Sequence, residues 1–154
     1  MPWLRNRYFI FIVVFLGFVL DRFFKILILE REGFFVIKDF LKINFYPNWG
    51  IALSLPVSRF IVYPLIALIL LIVFFFLYIN YKKRNYFLIW GLSLIFVGAV
   101  SNLIDRIHYG YVVDYINFIG FFPVFNLADM MIIVGSGLIL IKGLIIKQKG
   151  KSEK

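Results

Sequence analysis

Between Phe60 and Ile79 the chain runs for twenty residues without a charge. A helix of that length spans a hydrocarbon core of ~30 Å, and a chain inside lipid must satisfy its own backbone polar groups, which a helix does. Three further apolar runs have similar length. Tyr8–Leu29 is interrupted by Asp21, Arg22 and Lys25; Tyr86–Ile104 is the third; about Phe121–Ile141 is the fourth, broken by Asn126 and Asp129. At 63% hydrophobic residues the chain exceeds the ~45–50% apolar share of soluble domains. The expectation is an all-α polytopic membrane protein with four transmembrane helices, at about 8–29, 60–79, 86–104 and 121–141, in a single domain covering 1–154 with a basic tail over 142–154. The first run begins like a signal peptide, with Arg5 and Arg7 ahead of apolar residues, but Asp21-Arg22 follows in place of a small-residue cleavage site, so it reads as a retained helix.

The charges orient these spans. Arg5 and Arg7 precede the first, Lys82, Lys83 and Arg84 join the second to the third, and Lys142, Lys147, Lys149, Lys151 and Lys154 with Glu153 follow the fourth. Four spans place these groups on one side, where they carry the whole of the net charge of +9. By the positive-inside rule both termini are cytoplasmic. The basic excess is then a topology signal, and nucleic-acid binding is a poor reading, because the cations flank spans and form no groove or recognition helix. Two segments remain outside, about 30–59 and 105–120. Phe34–Ile37, Ile43–Asn48, Ile51–Leu53 and Val112–Phe118 read as short extended runs in a small β-containing cap at the membrane surface.

The polar residues within the spans gather at one level. On the third span Gly91, Gly98, Asn102 and Asp105 share one helical face, the glycines allowing close approach of another helix. On the first, Gly17, Asp21 and Lys25 follow i, i+4, i+8, with Asp21 and Lys25 spaced as an ion pair. On the fourth, Asn126 and Asp129 share a face, with Asp129 ~10 Å along the helix if the helix begins near Phe121. Asp114 lies in the outer loop between them. All of this is near the outer leaflet, while the cytoplasmic halves of the spans lack carboxylates. A carboxylate in a membrane costs ~2.5–3.5 kcal/mol at the helix centre and usually serves a function. A proton or ion path would spread ionisable groups through the full depth, so the clustering favours a one-sided reaction site.

Two close carboxyls share a proton: the ionised one accepts a proton from water and the neutral one hydrogen-bonds the carbonyl under attack. That chemistry needs neither cysteine, which is absent, nor a zinc site, which the single His108 cannot build alone. The residue pattern leaves open which two of Asp105, Asp114 and Asp129 form such a pair. A small transporter or channel using intramembrane Asp residues, and a membrane scaffold without activity, are the rival readings. Milder alternatives also stand for single features: Asp21 and Lys25 as an ion pair that makes a polar helix tolerable, Asp105 and Arg106 as a helix-end salt bridge, and Asn48-Trp49-Gly50 as an ordinary turn.

Five segments in order resemble one family. They are Asp21-x-x-x-Lys25; Asn48-Trp49-Gly50-Ile51-Ala52-Leu53-Ser54; Gly98-Ala99-Val100-Ser101-Asn102-Leu103-Ile104-Asp105-Arg106; Val112-Val113-Asp114-Tyr115; and Phe125-Asn126-Leu127-Ala128-Asp129, with Gly135 beyond. Together they are similar to the lipoprotein signal peptidase, or signal peptidase II, family. The resemblance implies an aspartic endopeptidase of the bacterial cytoplasmic (inner) membrane, working without metal or cofactor near the outer leaflet. It implies removal of signal peptides from prolipoproteins, with cleavage before a cysteine that already carries diacylglycerol. It assigns catalysis to Asp114 and Asp129, and supporting or substrate-binding positions to Asn102, Asp105, Arg106, Asn126, Asp21, Lys25, Asn48 and Gly50. The expected partners are diacylglyceryl-modified prolipoproteins and membrane lipids, with no nucleic acid and a monomeric enzyme. Ser101, Leu53 and Trp49 depart from the residues usual in that pattern.

Overall fold

A computed structural model describes residues 6–30, 34–38, 40–50 and 58–152. Helix α1 (Arg7–Glu30) leads into strands β1 (Phe34–Ile37) and β2 (Leu41–Asn48). Helices α2 (Arg59–Lys82) and α3 (Tyr86–Tyr109) form an antiparallel pair joined by a short turn, and strand β3 (Val112–Phe118) and helix α4 (Leu127–Ser152) complete the chain. Three helical stretches, Phe60–Lys82, Tyr86–Tyr109 and Leu127–Ile145, are long and apolar enough to cross a membrane. The fold is mostly helical with a small three-stranded sheet of order β1-β2-β3, antiparallel throughout.

The helix seam is built by small residues. A Cβ placed on Gly98 would lie 2.5 Å from the Ala128 carbonyl oxygen, and one on Gly135 would lie 2.5 Å from the Gly91 carbonyl oxygen. These distances admit no side chain, so α3 and α4 meet backbone to backbone, as the glycine face of the third span predicts. Nearer the cytoplasmic end expected from the charges, Ile10, Val14, Ile89 and Met131 form the apolar core that ties α1 to α3 and α4.

The helix ends depart from the sequence expectation in three places. Helix α3 continues to Tyr109, so Asp105, Arg106 and His108 are helical residues and not part of an outer loop. It stops at Gly110, whose φ of 83° is the left-handed conformation that glycine adopts without a Cβ clash. Helix α4 begins at Leu127, not at Phe121. Residues 121–126 instead return along β3, where Phe125 pairs with Ile116 as an isolated bridge. The reason is local: Asn126 accepts from the Asp129 amide at 2.9 Å, and Asp129 accepts from the Asn126 amide at 3.2 Å. This is a reciprocal capping box, with Asn126 as N-cap and Asp129 at the third helical position. Asp129 therefore lies in the first turn of α4 and not ~10 Å along it. At the other end α4 runs to Ser152, so most of the segment expected as a basic tail is helical. The extended readings of Phe34–Ile37, Ile43–Asn48 and Val112–Phe118 agree with β1, β2 and β3, while Ile51–Leu53 lies outside the described residues.

Substituting Gly135 with Val forces a side chain into the Gly91 carbonyl and is expected to lower stability by about 1–3 kcal/mol, the usual range for overpacking. Gly137, with nothing within 4 Å of its hypothetical Cβ, is the control. Thermal unfolding of Gly135→Val and Gly137→Ala in detergent measures both, and only the first should melt clearly lower.

Candidate active site

Lys25 sits at the centre of the polar layer with no solvent exposure. Its ammonium contacts Asp21 at 3.0 Å, Asp105 at 2.7 Å and the Asn102 side-chain oxygen at 2.9 Å. The i,i+4 ion pair expected from spacing is thus present, and the same cation also crosses from α1 to α3. Arg22 pairs with the other oxygen of Asp105 and donates to the Ser101 carbonyl at 3.3 Å. Asp105 further accepts from the Val113 amide at 3.2 Å. Two cations and one backbone donor hold Asp105, so it is a structural acid that fastens α3 to α1 and to the residue before Asp114. The alternative of an Asp105–Arg106 helix-end salt bridge is corrected by this geometry. The Arg106 guanidinium donates to the Gly50 carbonyl at 3.0 Å and to the Asn102 carbonyl at 3.4 Å. Adjacent residues on a helix point about 100° apart, which separates the two side chains.

The other two acids have a different environment. Asp114 comes from β3, where it stands opposite Tyr46 beside an irregularity in β2 between Ile43 and Tyr46, the kind of bulge that re-aims side chains near functional sites. Its oxygens accept from the Asn126 amide group at 2.6 Å and from the Asn48 amide group at 2.9 Å. Asn48 is in turn held by the Gly50 amide at 3.1 Å. Asp129 accepts from Asn102 at 2.7 Å and from the backbone of Asn126. Asn126 also donates to the Asn102 oxygen at 3.2 Å. Asn126 therefore binds both carboxyls, and Asn102 connects Asp129 to Lys25. Every one of these donors to Asp114 and Asp129 is a neutral amide. Burial, and then the charge of nearby Asp129, push the Asp114 carboxyl up to about 7, against the opposing pull of Asn48, Asn126 and Lys25. A carboxyl raised in this way is the condition for an acid–base pair of carboxyls. Among the described residues no group of three or more His, Cys, Asp or Glu is placed to hold a metal ion.

A family model described as "Signal peptidase (SPase) II" matches residues 13–145. The chain belongs to the signal peptidase II family. Curated relatives named lipoprotein signal peptidase agree with this. The protein from Clostridium tetani is 38% identical over 93% of this chain and 96% of its own length. The protein from Halothermothrix orenii is 37% identical over 86% and 92%. A solved structure titled as a bacterial membrane enzyme superposes with a TM-score of 0.79 at 30% identity, covering 97% of this chain and 94% of that one.

In this signal peptidase II member, Asp21, Lys25, Asn48, Gly50, Asn102, Asp105, Arg106, Asn126, Asp114 and Asp129 fall into one connected layer of hydrogen bonds and ion pairs. The residues Ile51-Ala52-Leu53-Ser54 of the second motif lie outside the described residues. Arg22 and Tyr115 also join the layer and were not among the expected site residues. Arg22 had a usable signal, being a cation beside Asp21 in an apolar run. Tyr115 stood in the Val112-Val113-Asp114-Tyr115 segment, but an aromatic residue in a strand normally reads as packing, and nothing gave its hydroxyl a partner.

Two measurements follow. Because the folded Asp114 carboxyl titrates well above the ordinary carboxylate range, the folded state holds a proton that the unfolded chain releases. Stability should therefore fall as pH rises from about 4 to about 7 and level off above, by at most about 4 kcal/mol. Thermal melting across that range should show this slope in the native chain and a flatter profile in Asp114→Asn. Lys25→Met, by contrast, leaves buried Asp21 without its cation and Asp105 with Arg22 alone. It should lose about 3–5 kcal/mol, read as a large drop in melting temperature at pH 7.

Proposed function

We propose that Asp114 and Asp129 are the catalytic pair with which this lipoprotein signal peptidase cleaves signal peptides from lipoprotein precursors. The function itself follows from family membership. The observation that supports this choice of residues is the contrast between the acids. Asp105 is neutralised by Arg22 and Lys25, whereas Asp114 and Asp129 are joined through Asn126 and, among the described residues, bonded by amides alone. In this mechanism one carboxyl of the pair is ionised and takes a proton from water, and its protonated partner donates to the scissile carbonyl. The hydroxide equivalent adds to the carbonyl carbon, and the tetrahedral intermediate collapses as the leaving amide nitrogen is protonated by the pair. The proton belongs to the coupled site and not to one residue. Asn48, Asn102 and Asn126 fix the carboxyls, and Arg106 braces Gly50 of the first outer loop. The bond cleaved lies before a diacylglyceryl-modified cysteine, whose lipid chains stay in the outer leaflet while the signal helix remains among the spans.

The proposed setting is a single domain with four spans, including α1. Its charged side chains Asp21 and Lys25 are fully buried, whereas Phe15, Leu16, Leu20 and Phe23 are exposed, which suits a helix with polar groups turned inward and a lipid-facing apolar side. With four spans the positive-inside rule puts both termini in the cytoplasm and the acids near the outer leaflet of the inner membrane. The enzyme acts as a monomer in contact with membrane lipids. The transporter reading lacks support, since the relatives that match carry the name of a peptidase.

Purified protein in detergent or bilayers, given a lipid-modified prolipoprotein, tests the assignment. Asp114→Asn and Asp129→Asn should each reduce cleavage by at least about a thousandfold while still melting cooperatively. Near-normal cleavage by either variant would remove that residue from the pair.

A further inference from the structure

The first turn of α4, which carries Asp129, leaves backbone N–H groups that no helical carbonyl can satisfy. Three of them are met by side chains from three different parts of the fold. Leu127 N–H donates to the Tyr115 hydroxyl at 3.2 Å, Ala128 N–H to Asp21 Oδ1 at 3.0 Å, and Asp129 N–H to Asn126 Oδ1 at 2.9 Å. Asp21 is itself held by hydroxyls. Ser101 donates to Asp21 Oδ2 at 2.6 Å, and Tyr115 donates to Asp21 Oδ1 at 3.4 Å. Tyr115 is 3% exposed and Ser101 1%. Burial and the Asp21 charge push the Tyr115 hydroxyl above its usual range, so it keeps the proton it donates. Lys25 completes the shell of Asp21, and Arg22 reaches the Ser101 carbonyl.

We propose that Tyr115 and Ser101 are positioning residues for catalysis: their hydroxyls lock Asp21 onto the N-terminus of α4, and this lock sets the place of the Asp129 carboxyl. Neither residue touches Asp129 through its side chain in the bonds above. They act through Asp21 and through the backbone of Leu127 and Ala128, two and one residues before it. Tyr115 has a second consequence because it follows Asp114 on β3. One strand then carries an acid of the pair and, on the neighbouring residue, the clamp that registers the other acid's helix. The carboxylate of Asp21 is also the favourable sign at a helix N-terminus, so the lock neutralises the helix end without placing another donor on Asp129.

This inference rests on Asp129 being a member of the catalytic pair, and the experiment separates the two. Steady-state cleavage of a lipid-modified prolipoprotein is measured for Tyr115→Phe, Ser101→Ala, the double variant and Asp129→Asn. Melting temperature and amide exchange at residues 127–129 are recorded for each. Tyr115→Phe keeps the ring and removes one hydroxyl. It should lower kcat about tenfold with KM within about twofold, and it should speed exchange at Leu127 while the melting temperature stays close to native. Ser101→Ala should lower kcat in the same way without exposing Leu127, and its small change keeps the test usable if Tyr115→Phe folds poorly. Native kcat in both single variants, or a rise in KM with kcat unchanged, overturns the positioning role. Full activity in Asp129→Asn would instead overturn the catalytic assignment beneath it.

Discussion

A single ammonium group, that of Lys25, organises the polar layer. It is fully buried and binds Asp21 of its own helix, Asp105 of α3 and Asn102 of α3. With Arg22 it balances two carboxylates by two cations in surroundings where an uncompensated charge is strongly disfavoured. That balance leaves the remaining acids, Asp114 and Asp129, without a full counter-ion among the side chains that hydrogen-bond them. The proton sharing proposed for them follows from where Lys25 and Arg22 spend their charge. One ion-paired quartet and one amide-bonded pair of acids are connected through Asn102 and Asn126.

The sequence and the structure agree where a pattern repeats and part where a single bond decides. Apolar runs announced the helices, and Gly91, Gly98 and Asn102 on one face announced which side of α3 would be packed. The spacing of Asp21 and Lys25 announced their ion pair. In contrast, the run from Phe121 to Ile141 reads by hydropathy as one helix, although Pro123 and the Asn126-x-x-Asp129 spacing mark a start near Leu127, which the capping box and the pairing of Phe125 with Ile116 then fix. The adjacency of Asp105 and Arg106 suggested a pair, but neighbours on a helix diverge, and Asp105 found its cations on α1, 80 or so residues away in sequence. Tyr115 was silent for the same reason: its hydroxyl gains meaning only when β3 is laid against α1 and the start of α4. Bottom-up reading placed three acids at one level without choosing two. The resemblance chose Asp114 and Asp129, and the ion pairs of Asp105 give a physical account of that choice.

The layered arrangement also bears on why a protease can work at a membrane surface. Hydrolysis needs water, yet the substrate reaches the enzyme through an apolar helix. A cap of three short strands over a bundle brings both conditions to one level, since β3 contributes an acid from the sheet and α4 contributes another from the first turn of a membrane helix.

The glycine seam has one more implication. Because α3 and α4 touch through backbone atoms at Gly98, Gly135 and Ala128, there is little slack for α4 to slide, and Asp129 stands one residue beyond that contact. Asp114 rides on a sheet only three strands wide. The two acids are thus carried by elements of different kinds, and their spacing depends on how the sheet seats against the helices.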